Sequence, residues 1–199
     1  MAIRYYDEAI TNKIKNWAEN TKSTILSPAE STRLFQIVDY KENDKPLNLP
    51  LISISRDPSI DIISTAKRAL TYDGAHVSAT KDYSKVLNAI PIKLSYQLDI
   101  YTRYFDEADE YLRNFIFNII NYPNLTIEIP YNGEKILHSS TMILESSISD
   151  NSDIKERLIQ GQFYRMTLKI FIDDAWLFSV PIEENWTIKE TIGDEGILK

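Results

Sequence analysis

The sequence predicts an α+β domain, an antiparallel or mixed β-sheet with helices packed on one face. Three observations predict it. Residues 90–104 alternate apolar and polar side chains without a break, residues 106–122 carry an apolar stripe at helical spacing, and the last third of the chain returns to period-two alternation.

The elements follow in chain order. Tyr6, Ile10, Ile14 and Trp17 recur at steps of four and three, which places them on one face of a helix within residues 1–20. That stripe suits docking on the domain's own core, because an isolated helix of this length is marginal in water. Ser27-Pro28-Ala29-Glu30 reads as a helix start, with serine at the cap, proline in the first turn and glutamate at the third position. Tyr40 to Asn48 is polar and reads as an exposed loop. Leu51 to Arg56 reads as a strand, with Ile52 and Ile54 alternating with Ser53 and Ser55, ended by Asp57-Pro58. Residues 59–89 mix apolar pieces (Ile60, Ile62, Ile63) with turn-like runs and read as a contact loop.

In residues 90–104 the even positions hold Ile90, Ile92, Leu94, Tyr96, Leu98, Ile100, Thr102 and Tyr104, and the odd ones are mostly polar, so the strand is expected to have one wet face. At about 3.3 Å per residue such a strand spans roughly 50 Å, longer than the ~42 Å diameter of a compact domain this size. It must bend, meet a bulge or reach past its own domain. Asp106 opens a helix to about Tyr122, with Ala108, Leu112, Phe115, Ile116 and Ile119 inward and Pro123 as the stop. Leu125 to Ile129 and Ile136 to Ile148 read as strands around an Asn132-Gly133 turn, followed by a polar connection from Ser149 to Gly161. Tyr164 to Ile172 and Trp176 to Ile182 read as a hairpin turning at Asp173-Asp174-Ala175. Residues 1–182 therefore form a single domain, and residues 183–199 an acidic C-terminal arm.

Composition narrows the function. The 199 residues carry 22 Lys+Arg against 29 Asp+Glu, a net charge of −7, which argues against a general nucleic-acid binder. With no cysteine, disulfides, thiolate metal sites and cysteine catalysis are excluded. No apolar leader or membrane-length run occurs, so synthesis in a cytoplasm and no membrane partner are expected. No nucleophile elbow, phosphate loop or zinc-protease helix occurs either, and no catalytic, metal or cofactor residues are assigned. His138, with Ser139, Ser140 and Glu145 near it, is better read as a strand histidine on a half-wet face than as part of a serine–histidine–acid set. His76 reads as a solvated loop residue. The acids Asp106, Glu107, Asp109 and Glu110 suit a helix N-terminus on dipole grounds alone. The 12 tyrosines, seven phenylalanines and three tryptophans, without excess base, fit a core or protein-facing surfaces better than nucleic acid.

Pro91-Ile92-Lys93-Leu94-Ser95-Tyr96-Gln97-Leu98-Asp99-Ile100-Tyr101-Thr102-Arg103-Tyr104, followed by an acidic-started helix, resembles the tail terminator family of contractile-tailed bacteriophages, also called tail sheath stabiliser, tail completion or neck proteins. Leu49 to Arg56 is similar to that family's early strand, and Ser149 through Trp176 to Pro181 to its closing hairpin. The resemblance spans residues 49–182. It implies a non-enzymatic virion protein, assembled in the host bacterial cytoplasm and located at the tail neck. It further implies a ring, usually a hexamer, seated on the last ring of the tail tube protein. Such a ring stops tube growth, stabilises the tail sheath protein and meets the head-to-tail connector. Genomic DNA would pass through an acidic lumen without specific binding. Tyr101, Arg103, Tyr104, Asp106 and Glu107 stand as the candidate subunit or tube contacts. The alternatives are another ring-forming neck or baseplate adaptor, and a small-molecule-binding or hydrolytic α+β domain.

Overall fold

The computed structural model describes residues 3–19, 21–32, 48–63, 70–72, 75–76, 87–131, 134–152 and 163–178. In chain order the elements are α1 (Ile3–Trp17), β1 (Thr24–Leu26), β2 (Leu51–Arg56), β3 (Asp61–Ile62), β4 (Leu70–Tyr72), β5 (Ala75–His76), β6 (Leu87–Thr102), α2 (Phe105–Asn121), β7 (Asn124–Tyr131), β8 (Glu134–Leu144), β9 (Ser149–Asp150) and β10 (Tyr164–Phe178). This is an α+β fold with a mixed sheet. Its order is β1-β2-β6-β10-β8-β5, with β3 and β4 also on β6, β7 on β8 and β9 on β10. All the pairings are antiparallel except β1 with β2.

The long alternating strand is the sheet's centre. Ile92, Leu94, Tyr96, Leu98 and Ile100 of β6 are all buried on the helix side. They lie level with Ile52 and Ile54 of β2 and with Met166, Leu168, Ile170 and Ile172 of β10. Onto this face pack Ile3, Tyr6, Ile10 and Ile14 of α1 and Ala108, Tyr111, Phe115 and Ile119 of α2, in one core. The apolar stripe of α1 is thus consumed by the domain itself. Leu112 and Ile116 of α2 sit at the margin of the core, half-buried.

The opposite face is drier than the alternation suggests. Leu51, Ser53, Asp99, Tyr101 and Thr167 are all buried. Residues 28–32 are helical and meet this side, where the Ser53 hydroxyl donates to Ser31 Oγ at 2.9 Å. Glu30 caps its start by accepting from both the Ser27 N–H (2.8 Å) and the Ser27 hydroxyl (2.7 Å). A second cluster of Leu51, Tyr101 and Phe163 closes the end of this face. Alternation shows that two faces differ; it does not show that the polar one is wet.

The expected closing hairpin is instead one strand. β10 stays paired to β6 from Tyr164↔Thr102 to Phe178↔Ala89, with a β-bulge between Ile172 and Ala175. The same Asp173-Asp174 that suits a turn also suits a bulge, and β6 is long enough to offer a partner on both sides of it. The extra residue shifts the alternation, so the core side chain after the bulge is Ala175, fully buried, rather than Trp176. Residues 59–89 also differ from a plain loop, because β3 and β4 add to the edge of β6 and β5 to β8. The backbone of His76 is therefore part of a strand. The polar stretch 40–47, the Asn132-Gly133 turn, residues 153–162 and the arm at 183–199 lie outside the described residues.

Polar ties at Tyr6, Asp7 and Lys13 fix α1 to the sheet. The Tyr6 hydroxyl accepts the Trp176 N–H at 2.7 Å, just past the bulge. Asp7 takes a two-pronged bond from Arg56 (3.0 and 2.7 Å) and a bond from the Tyr96 hydroxyl (2.8 Å). Burial and the neighbouring Asp7 carboxylate both push the Tyr96 phenol far up, so it stays protonated and donates. At the outer strand β7, Met142 N–H bonds Pro123 O (2.9 Å), so Asn124, Thr126 and Glu128 turn their main-chain groups away from β8. Lys13 of α1 donates to the Asn124 carbonyl on that side, and Pro130, which has no N–H, stands near the other end.

Replacing Tyr6 by phenylalanine removes the clamp between α1 and β10 while keeping the ring. Urea denaturation is expected to show a loss of about 0.5–1.5 kcal/mol, read as a lower midpoint with an unchanged slope.

Candidate functional site

The five candidate contact residues cluster where β6 hands over to α2, but they do not share one environment. β6 ends at Thr102, whose hydroxyl donates to Tyr104 O (2.9 Å) and holds the turn. Tyr104 is extended (φ −121°, ψ 144°) at the cap position, and its carbonyl accepts the Ala108 N–H (3.2 Å) to begin α2. No side chain caps the helix; Asp106 and Glu107 supply negative charge to its first turn instead. The result is a tip. Arg103 and Asp106 are exposed, Tyr104 is 67% exposed and Phe105 50%, with Phe105 set edge-on against Tyr164 (5.7 Å, 73°).

Tyr101 is placed differently. It is 8% exposed and faces Phe163 (5.9 Å between rings), with the Arg165 guanidinium 5.5 Å from its ring. In the folded chain it is a core contact under the tip rather than part of its surface. Glu107 is half-buried and lines a cleft of about 830 Å³ between α2 and the Leu49-Pro50 segment, with Lys22, Glu110, Arg113 and Phe117 among its walls.

Beneath Tyr101 lies a polar network that the sequence reading did not single out. Asp99 is fully buried and accepts from Arg165 (3.3 and 3.1 Å), the Thr167 hydroxyl (2.6 Å) and the Gln97 amide (2.9 Å). Asn151 donates to Thr167 Oγ1 (2.8 Å), and Ser152 Oγ accepts the Arg165 N–H (2.8 Å), which ties the segment after β9 to β10. The signal for this network was present as a polar row: Ser53, Asp99 and Thr167 are level neighbours on three adjacent strands. Reading it required knowing the register. The network satisfies Asp99 internally, and a carboxylate so occupied is a structural fixture.

His138 is buried (5% exposed) under α1, where the Tyr6 ring meets it edge-on at 6.3 Å. This corrects the expectation of a half-wet position. Its Nε2 lies 2.7 Å from Ser140 Oγ and 3.3 Å from the Asp174 main-chain oxygen. The Asp174 carboxylate is used elsewhere, accepting the Thr141 N–H at 2.9 and 3.1 Å. The Ser140 hydroxyl and the Asp174 main-chain oxygen thus converge on one nitrogen, and Ser140 is 1% exposed. The cluster does fasten β8 to the bulge of β10. Among the described residues no group of three acidic, histidine or cysteine side chains is placed to hold a metal ion, and no helix is long and apolar enough to cross a membrane.

No protein-family profile matches the chain, and no curated protein sequence matches it.

Burial lowers the His138 pKa below its ordinary 6.5, against weaker upward pulls from the Asp174 main-chain oxygen and charge. The folded chain therefore resists a proton that the unfolded chain accepts. Stability at neutral pH is complete in this respect, and it falls as pH drops below about 6.5. Urea melts between pH 7.5 and 5.5 are expected to show that decline in the wild type, and a shallower one in His138→Gln.

Proposed function

We propose that this chain is a structural, non-enzymatic virion protein, one subunit of a ring that caps the head-proximal end of a phage tail tube. In this reading the ring stops tube polymerisation, anchors the top of the contractile sheath and presents its far side to the connector of the head. A protein that ends a polymer needs one surface complementary to the last layer and another that does not repeat it, and copies related by a closing rotation supply both.

The observation that carries the reading is the tip at residues 103–106. It stands at the end of a 16-residue strand held along its length by β2, β3, β4 and β10, and it presents Arg103, Tyr104, Phe105 and Asp106 outward. Two exposed aromatics between opposite charges, on a rigid support, form the kind of anchor that dominates protein contacts. What further supports the reading is the resemblance of residues 91–104 to the tail terminator strand; the last residues of that stretch belong to this tip. The net charge of −7 per chain is compatible with a lumen that lets DNA pass. Contacts with tube, sheath and connector, six-fold closure, and location at the tail neck after assembly in the bacterial cytoplasm all belong to this proposal.

The test is to mix the purified chain with tail tubes and image them in negative stain. Density is expected at one end only, and capped tubes should no longer lengthen when tube protein is added. Tyr104→Ala, at the more exposed of the two aromatics, should lower end occupancy at least tenfold while leaving the melting curve nearly unchanged. Tubes that stay bare, or decoration along their sides, would overturn the reading.

A further inference from the structure

The two exposed aromatics of the tip are supported in different ways. Tyr104 is fixed through its main chain, whose carbonyl accepts from the Thr102 hydroxyl (2.9 Å) and the Ala108 N–H (3.2 Å). Phe105 is fixed through its side chain, which meets the Tyr164 ring edge-on with 5.7 Å between centroids. The start of α2 adds no comparable hold. No side chain caps it, and Asp106 and Glu107 act there by charge, which selects no rotamer for a neighbouring ring.

Tyr164 is itself held from both faces of the sheet. It is the first residue of β10, level with Thr102 at the end of β6, and it packs half-buried against the helix-side core. The next residue, Arg165, works on the opposite face. Its guanidinium donates to the buried Asp99 carboxylate (3.3 and 3.1 Å) and lies 5.5 Å from the Tyr101 ring. Its main chain is also taken on the β9 side: the Arg165 N–H donates to Ser152 Oγ (2.8 Å), and the Asn151 N–H donates to the Arg165 carbonyl (2.9 Å). The strand under Phe105 is thus anchored by charge, by ring contact and by main chain within one residue of Tyr164.

We infer, on the ring-cap reading above, that Tyr164 is a positioning residue for the tip, acting on the partner through Phe105. An exposed phenylalanine at a helix start samples several rotamers, and binding has to select one of them. The edge-on contact with a fixed ring makes that selection before the partner arrives. Ordering one such side chain in advance is worth roughly three- to tenfold in affinity. Half of the Phe105 surface stays open, so the ring is held without being withdrawn from the tip. The polar network around Asp99 gains a role from this arrangement: it stiffens the strand that carries Tyr164.

The test uses the full chain and four variants: Tyr164→Leu, Tyr164→Phe, Phe105→Leu, and Tyr164→Leu combined with Phe105→Leu. Tyr164→Ile replaces Tyr164→Leu if the leucine variant melts lower than the wild type. Aromatic carbon–proton NMR of the free chain reads the tip directly. The Phe105 signal, assigned by its loss in Phe105→Leu, is expected to move when position 164 is leucine and to stay when it is phenylalanine. Affinity for tail-tube ends is read from end occupancy in negative stain across a concentration series. Tyr164→Leu is expected to weaken it about three- to tenfold and Tyr164→Phe less than twofold, while the double variant loses no more than Phe105→Leu alone. A merely structural role for Tyr164 would add its loss to that of Phe105→Leu, and such additivity overturns the inference. An unmoved Phe105 signal in Tyr164→Leu, or a Tyr164→Phe variant as weak as Tyr164→Leu, overturns it as well. Wild-type chain that leaves the tubes bare defeats the ring-cap reading and this inference with it, whereas tubes capped equally by wild type and Tyr164→Leu defeat the inference alone.

Discussion

The fold depends on one pairing. β6 and β10 run antiparallel from Tyr164↔Thr102 to Phe178↔Ala89, and every other described strand attaches to one of them directly or through a neighbour. A two-stranded ribbon is marginal in water unless its faces are covered. Here the even-numbered face of β6 is covered by α1 and α2, and the end of the other face near Ser53 and Tyr101 by the helical residues 28–32 and the Tyr101 cluster. The length of β6 sets the demand, and the rest of the chain answers it. β2, β3 and β4 take successive stretches of one edge of β6, so no long run of main chain on that side stands without a strand.

The bulge in β10 is where the two halves of the molecule are joined. Past Ile172, β10 gains a residue relative to β6, the alternation changes phase, and α1 meets the sheet at Trp176 through Tyr6. The same bulge offers Asp174 to β8, by its carbonyl to His138 and Ser140 and by its carboxylate to Thr141. Three elements are thereby held at a point where the ladder alone would be weakest. The histidine and serine that invite a catalytic interpretation in the sequence are part of this fastening.

Much of this is legible in the sequence. The period of residues 90–104, the α2 stripe ending at Pro123 and the Ser27–Glu30 cap are local patterns, and local patterns are what a sequence displays. What was hidden depended on partners. Asp173-Asp174 carries the same chemistry in a turn and in a bulge, and only the reach of β6 decides between them. Tyr101 and Asp99 sit at outward positions of an alternating strand, and only their neighbours Phe163, Arg165 and Thr167, more than 60 residues away, make those positions dry. The tip at Arg103–Asp106 was found as a stretch, because a strand end followed by a helix start is visible in sequence. Which members face solvent was not, because the strand and helix periods meet there.

The outer strand β7 has a consequence for how such a chain behaves when crowded. Asn124, whose carbonyl is taken by Lys13, and Pro130, which offers no hydrogen, leave only a short stretch of outward-facing backbone between them. Along that border a stray segment finds little to template on. Encounters there are governed by side-chain chemistry, which is selective and reversible, rather than by the indiscriminate zippering of peptide groups that leads to tangled aggregates.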